Sequence, residues 1–313
     1  MEDARLTVGI CYVVIPTILL PAFVRILYIF VSKKKYRSLE CYRIMIQMGI
    51  AQCGGVVPAY VGFGLCLLLN DDSTGIFSLL CKFFIVGFRV EVCLNLVLAL
   101  NRLKIICNLK YSDYFHTVLI CVSWLLGLGL LAAMFAPCCT VTFRPNNFAV
   151  MYESVPAFQR FCSSLILIPP IFTFIVYIFL VFHLLKMKFT GLNSDLPSLK
   201  QEIPILIYAF VRFTFDFTFA FIYHYGNLPP TPLNKALITA GIAVSNTVVP
   251  PVLYLILHKE LRRELWPFCG SKTKVSTVVP VVRSLRKKST DPVLNESTAV
   301  MIHGELFFDA SIT

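Results

Sequence analysis

Phe161–Leu185 reads FCSSLILIPPIFTFIVYIFLVFHLL, 25 residues with no Asp, Glu, Lys or Arg among them. A segment that crosses a bilayer must satisfy its own backbone hydrogen bonds over about 30 Å of hydrocarbon, which takes a helix of roughly 20 apolar residues. Val8–Val31, Tyr42–Leu69, Ser78–Cys107, Thr117–Phe135, Ile203–His224 and Ala236–Leu257 have the same character. A large soluble helical domain would show polar faces at helical spacing, whereas these stretches are apolar nearly all round. Several exceed the minimum length, which permits tilt without fixing it. They form spans one to seven in chain order.

Composition agrees. Hydrophobic residues make up 57% of the 313 and charged residues 14%, too few charges to clothe a soluble surface. The expected fold is all-α: a seven-transmembrane helix bundle with its N-terminus outside, a short amphipathic helix and a cytoplasmic tail. The membrane domain covers residues 1–268 and the tail, expected to be disordered, residues 269–313.

Positive charge falls in every second gap. Lys33, Lys34, Lys35, Arg37 and Arg43 occupy the first connection, Arg102, Lys104 and Lys110 the third, and Lys186, Lys188 and Lys200 the fifth. The segment after span seven adds Lys259, Arg262, Arg263 and a further basic run ending at Lys288. Outside the spans, the opposite side holds only Arg5, Arg144, Arg160 and Lys235. Lys and Arg stay cytoplasmic, so the N-terminus faces out and the tail faces in. The net charge of +11 then suits the anionic lipid of the inner leaflet and calls for no nucleic acid. Span one has no small-residue cleavage site and reads as a true span, not as a signal peptide.

Most cysteines lie within spans, where a thiol serves as a small apolar filler. Cys81 stands at the outer end of span three, and Cys138 and Cys139 lie in the second outer connection. A disulfide of Cys81 with Cys138 or Cys139 would tie that loop to the helix in an oxidising compartment. Cys269 follows the short amphipathic run His258–Trp266 and is either acylated or a free thiol. Ser289 and Thr290, beside the basic run, suit phosphorylation-dependent contacts, while the sequon at Asn295 faces the cytosol on this topology.

Ionisable groups inside a bilayer are costly and point to function. Glu91 and Asn95 of span three share one helical face, and Arg102, 11 residues beyond Glu91, joins it. Arg212 and Asp216 of span six are likewise four apart. Glu91 lies ~16 Å above Arg102 at helical rise, and Arg212 and Asp216 lie ~14 and ~20 Å above the inner start of span six. Glu91 and Arg212 are therefore level, and a buried cluster is expected in which they pair while Asp216 supports Arg212. It is either a structural clamp or a latch that frees span six to move. Arg89 points nearly opposite to Glu91, and no partner for it is evident. Above the cluster, Phe84 and Phe88 precede Glu91 on its face, and Phe215, Phe219 and Tyr223 continue the face of Arg212. These would line an outward-facing pocket between spans three, five, six and seven for a small, partly apolar ligand.

Leu98-Ala99-Leu100-Asn101-Arg102 closes span three, and Pro250-Pro251-Val252-Leu253-Tyr254 lies near the end of span seven. With seven spans and an outside N-terminus, these resemble a rhodopsin-like G-protein-coupled receptor. Cys41-Tyr42-Arg43-Ile44-Met45 leading to Met48-Gly49-Ile50, with the later Leu-Ala-Leu-Asn-Arg, is similar to nematode serpentine chemoreceptors of class T. The resemblance covers roughly residues 8–268. It implies a chemosensory receptor in the plasma membrane, as far as the sensory cilium, that binds a small molecule and signals to a heterotrimeric G protein. It also implies that Asn101, Arg102, Pro251 and Tyr254 form the coupling switch.

The chain departs from that pattern at several places. Asn101 replaces the commoner Asp, so no proton-linked switch is available at that residue. Pro250 stands where the family has Asn, although Asn246 sits one turn earlier. Gln52 occupies the region where an Asp often builds a sodium pocket, so such a pocket is not expected. Span six lacks the Trp-x-Pro toggle, and Cys81 lies 21 positions before Arg102, about one turn short of the usual spacing. No Lys lies within span seven to hold retinal, and neither cofactor nor metal is expected. Enzyme motifs are lacking: there is no paired Asp on Gly-rich helices, no Gly-x-Ser-x-Gly and no metal-spaced His. The alternative reading is a seven-helix transporter or ion channel, for which the stripe Glu91, Asn95, Arg102 gives support only on the inner half of span three.

Overall fold

The computed structural model describes residues 2–70, 75–112, 114–144, 149–189, 196–225, 229, 231–257 and 259–265. The chain divides into Met1–Cys269 and Gly270–Thr313. The second unit lies outside the described residues, and so do Cys269, Ser289, Thr290 and Asn295.

Span one is α1 (Glu2–Ser32), followed by the single turn α2 (Lys34–Arg37). Span two comprises α3 (Glu40–Ala51), a π-turn (Gln52–Val56) and α4 (Val57–Leu69). Spans three and four are α5 (Ile76–Ile106) and α6 (Tyr114–Met134). The antiparallel strands β1 (Cys139–Arg144) and β2 (Ala149–Ser154) precede span five, α7 (Pro156–Phe189). Span six is α8 (Leu196–Tyr225), and span seven is divided into α9 (Pro232–Thr247) and α10 (Val249–Leu257). The amphipathic run contains α11 (Lys259–Leu265). Among the described residues, five helices are individually long and apolar enough to cross a membrane, and the α9–α10 pair, bent by 40°, makes a broken sixth. With α8, which carries two charges in its middle, the protein is an all-α seven-helix bundle spanning the membrane several times.

Two of the irregularities follow from proline chemistry. Pro250 and Pro251 cannot donate to the carbonyls four residues back, those of Asn246 and Thr247, so α9 ends and the chain bends at Val248. In span two, the ring of Pro58 would meet the carbonyl of Gly54 in a regular α-helix. The π-turn widens the backbone at that point, where Gly54 and Gly55 also favour helix least. Gly55 then lies directly on α5. A Cβ there would sit 2.8 Å from the Phe83 carbonyl oxygen, and one on Gly87 would sit 2.9 Å from that of Ala51. This mutual approach brings Gln52, one turn inward, against α5.

α5 runs through the centre, touching α3, α4, α6, α7, α8 and β1. α6 shows the opposite situation. It buries only the stripe His116, Ser123, Gly127, Leu130 and Met134, while Val122, Leu125 and Leu128 face outward, as lipid contact requires. The hairpin is a feature that the sequence reading did not anticipate. Along β1 the side chains of Cys139, Val141 and Phe143 turn inward in strict alternation, and Tyr152 and Val150 pair across from the last two. Phe143 stacks on Phe63 of α4, with ring centroids 4.5 Å apart, anchoring the hairpin to the bundle.

Candidate functional site

Three groups of functional side chains lie along α5, separated by height. The outermost borders a cavity of about 600 Å³, counted with its solvent-open part. Phe84, Phe88 and Arg89 of α5 form one wall. Tyr60 of α4, Ile166 of α7, Ile242 and Thr239 of α9 and the Tyr152 side of β2 form the others. Phe84 and Phe88 of the expected pocket both border this cavity. Phe215 and Phe219 do not: they stack on each other, Phe215 is 40% exposed, and Phe219 packs over Gly241 of α9. Phe215 is one residue from Asp216 and so about 100° away around the helix, enough to turn it off the inner face. The side chain of Tyr223 lies outside the described residues. Span two and the hairpin thus supply the walls expected from span six.

Arg89 is sealed into this outer group, 2% exposed. It donates to the hydroxyl of Tyr152 and, at 3.2 Å, to the backbone carbonyl of Ile85. Sequence reasoning left Arg89 without a partner because the partner sits in a loop. The alternation through Val141 and Phe143 was the signal that a strand, and with it β2, lay there.

The middle group is a polar layer in the bilayer interior. Glu91 and Arg212 are ion-paired, and Gln52 Nε2 donates to Glu91 Oε1 at 2.6 Å. Arg212 Nη2 also donates to Asn246 Oδ1 at 2.7 Å, while its Nε lies 3.0 Å from Asp216 Oδ2 as a charge contact without an aligned hydrogen bond. Asp216 in turn accepts from Ser245 Oγ at 2.7 Å and from Asn95 Nδ2 at 3.4 Å. α3, α5, α8 and α9 each contribute to or border this knot. Glu91, Asn95, Arg212 and Asp216 are thus brought together, and Gln52, Ser245 and Asn246 join them. Those three were missed as members because an isolated amide or hydroxyl in an apolar span does not announce its partner.

At the cytoplasmic foot, Arg102 is buried and donates to Asn101 Oδ1 at 2.7 Å. Asn101 Nδ2 passes the contact to Glu40 Oε2 at 2.8 Å, and His116 Nδ1 lies 3.0 Å from the other oxygen of that carboxylate. Glu40, at the start of α3, thus brings a carboxylate to this foot, one hydrogen bond beyond the Asn101 that Arg102 meets. Between this foot and the middle group, Tyr254 stacks on Tyr208 of α8 at 4.6 Å and meets Phe30 of α1 edge-on. Pro251 lies buried three residues before Tyr254, just past the break in span seven.

The expected bridge from Cys81 to the outer loop is not formed. Cys81 is buried in α5 with a reduced thiol, and the sulfurs of Cys138 and Cys139 lie 2.7 Å from each other. Their mutual hydrogen bond raises the Cys139 thiol to about 11, so it stays protonated and a poor nucleophile at neutral pH. Burial of Cys139 in the inward row of β1 turns it towards the bundle, away from an exchange partner in solution.

No protein-family profile and no curated protein matches this chain by sequence. Its fold does have solved counterparts. The crystal structure of squid rhodopsin superposes with a TM-score of 0.65 over 86% of this chain and 86% of that one, at 12% identity. The chain therefore has the seven-helix fold of that rhodopsin.

Proposed function

We propose that the protein is a chemosensory G-protein-coupled receptor of the plasma membrane, similar to nematode class T receptors, that takes a small ligand from outside and signals to a heterotrimeric G protein. The observation that carries this reading is that one helix, α5, holds all three parts in series. Phe84, Phe88 and Arg89 face the outer cavity, Glu91 and Asn95 enter the charged knot, and Asn101 and Arg102 stand at the cytoplasmic boundary. A ligand that shifts α5 outside moves the partners of Arg212 on α8, the helix whose inner end must swing for a partner to enter. Arg102, released from Asn101 and Glu40, then offers its fork of donors to the backbone of the G protein. Asn101, Arg102, Pro251 and Tyr254 act in this account as the switch. The proline break lets α10 reorient, and Tyr254 changes its packing between Tyr208 and Phe30.

A transporter or channel would need polar groups aligned through the whole bilayer. Here the polar layer gives way to aromatic residues above, and the Tyr208–Tyr254 stack lies below it. The test is a ligand screen in cells reporting cAMP, cGMP and calcium, with Arg102→Ala as the control. A response lost in that variant at unchanged surface expression supports coupling. Ion currents that persist without G protein would replace the receptor by a channel.

A further inference from the structure

Among the described residues Arg89 is a charge without a counter-charge. Its side chain is sealed in the outer half of the bundle, and it borders the cavity. A guanidinium has five N–H donors. One meets the neutral Tyr152 hydroxyl, one meets the Ile85 carbonyl, the Cys162 thiol lies beside the group, and Nε has no hydrogen-bond partner. Among the described residues no Asp or Glu pairs with it: Glu91, two positions on, is turned to the far side of α5 and committed to Arg212. A buried cation in apolar surroundings is strongly unfavourable unless an anion joins it.

The rest of the cavity limits what that anion can be. Its walls are aromatic and aliphatic, with Tyr60, Tyr152 and Thr239 the hydroxyls at hand, and the buried Tyr60 hydroxyl has no hydrogen-bond partner. A phosphate group, with a charge near −2, would be only half neutralised by the one guanidinium in the lining. A carboxylate matches the planar fork of Arg with two oxygens and one charge, and leaves an apolar remainder for the rings. We propose that the occupant is a small amphipathic anion, an aryl or alkyl carboxylate whose head caps Arg89 and whose body lies between Tyr60, Phe84, Phe88, Ile166 and Ile242. This rests on the reading of the cavity as a ligand site and gives that ligand its chemical class. Tyr152 is then a positioning residue that holds the fork towards the cavity from β2.

The full-length protein in lipid nanodiscs provides the test, with phenylacetate, octanoate and decanoate each titrated beside its own methyl ester and thermal unfolding as the readout. At least one acid is expected to raise the midpoint in a saturable way, with its ester at least ~10-fold weaker. Arg89→Gln should abolish the preference, so that acid and ester act alike, and Arg89→Lys should keep part of it. Should Arg89→Gln fail to elute as a folded monomer, Tyr152→Phe, which only loosens the fork, must weaken the acid more than the ester.

Esters that match their acids in the wild type would overturn the anion while leaving a neutral-ligand site standing. No shift from any acid or ester would remove the ligand site as well. If chloride exchanged for gluconate accounts for the whole effect and no carboxylate adds to it, the counter-ion is inorganic and the proposal falls.

Discussion

Arg212 and Arg89 are both enclosed by the bundle, yet their surroundings differ in kind. Arg212 lies between two carboxylates, with an Asn oxygen on one of its nitrogens and a Gln steadying the nearer acid. Arg89 has a phenol, a carbonyl and a thiol around it, and an open cavity in front. A charge set between carboxylates fixes how helices meet, and disturbing it disturbs the bundle. A charge with no carboxylate beside it among the described residues leaves room for one to arrive. The contrast separates a charge group that ties helices together from one that faces open space.

The comparison breaks most easily at Arg212. Arg212→Leu leaves Glu91 and Asp216 facing each other in a dry interior, and removing one partner of such a group costs ~3–5 kcal/mol. Little folded monomer should survive detergent extraction. The double swap Glu91→Arg with Arg212→Glu should recover part of the expression and signalling, and recovery of neither would refute the pairing. Next comes the helix contact that brings Gln52 to Glu91. Gly55→Ala or Gly87→Ala drives a methyl group into a backbone carbonyl and should cost ~1–3 kcal/mol, seen as a lower unfolding midpoint. Gly54→Ala is the control, because a Cβ there meets nothing within 4 Å.

At the foot, Glu40→Gln weakens the charged contacts to Asn101 and His116. Loss of one such hydrogen bond is worth ~1.5 kcal/mol, or ~10-fold in the resting equilibrium, and should appear as raised basal reporter output. The smallest change in stability is expected at Arg89 itself. Arg89→Leu removes an under-partnered cation, so without ligand the midpoint should stay within ~1 kcal/mol of wild type or rise, while ligand response is lost. A fall as large as that of Arg212→Leu would mean that the two arginines are equivalent after all.

How far these features are legible in the sequence depends on whether they are periodic. The seven spans are, and so is the one-face spacing of Glu91 with Asn95 and of Arg212 with Asp216. Helical rise alone brings Glu91 and Arg212 to one level. What periodicity cannot supply is the choice of a third partner from another helix. Gln52 reads as the absence of an Asp, whereas it is the amide that steadies Glu91. Phe215 shows the limit of a face assignment, since a spacing of three carried it beyond the inner stripe. The partner of Arg89 lies on a six-residue strand in a connection, where alternation over so few positions is easily overlooked. The place of Glu40 beside Asn101 arises from two chain segments 61 residues apart.

The five-residue turn in span two has a mechanical consequence. It is an ordinary helical turn with one residue added, so everything beyond it is rotated by about 100° relative to a regular shaft. Gln52 precedes the insertion and belongs to the charged knot, while Tyr60 and Phe63 follow it and face the cavity and the hairpin. Straightening the turn to α-geometry with every residue kept would swing the outer wall away from its neighbours, whereas removing one residue along with the turn would leave both halves in phase. The turn thus acts as a coupling with a fixed angular offset between the charged knot and the cavity wall.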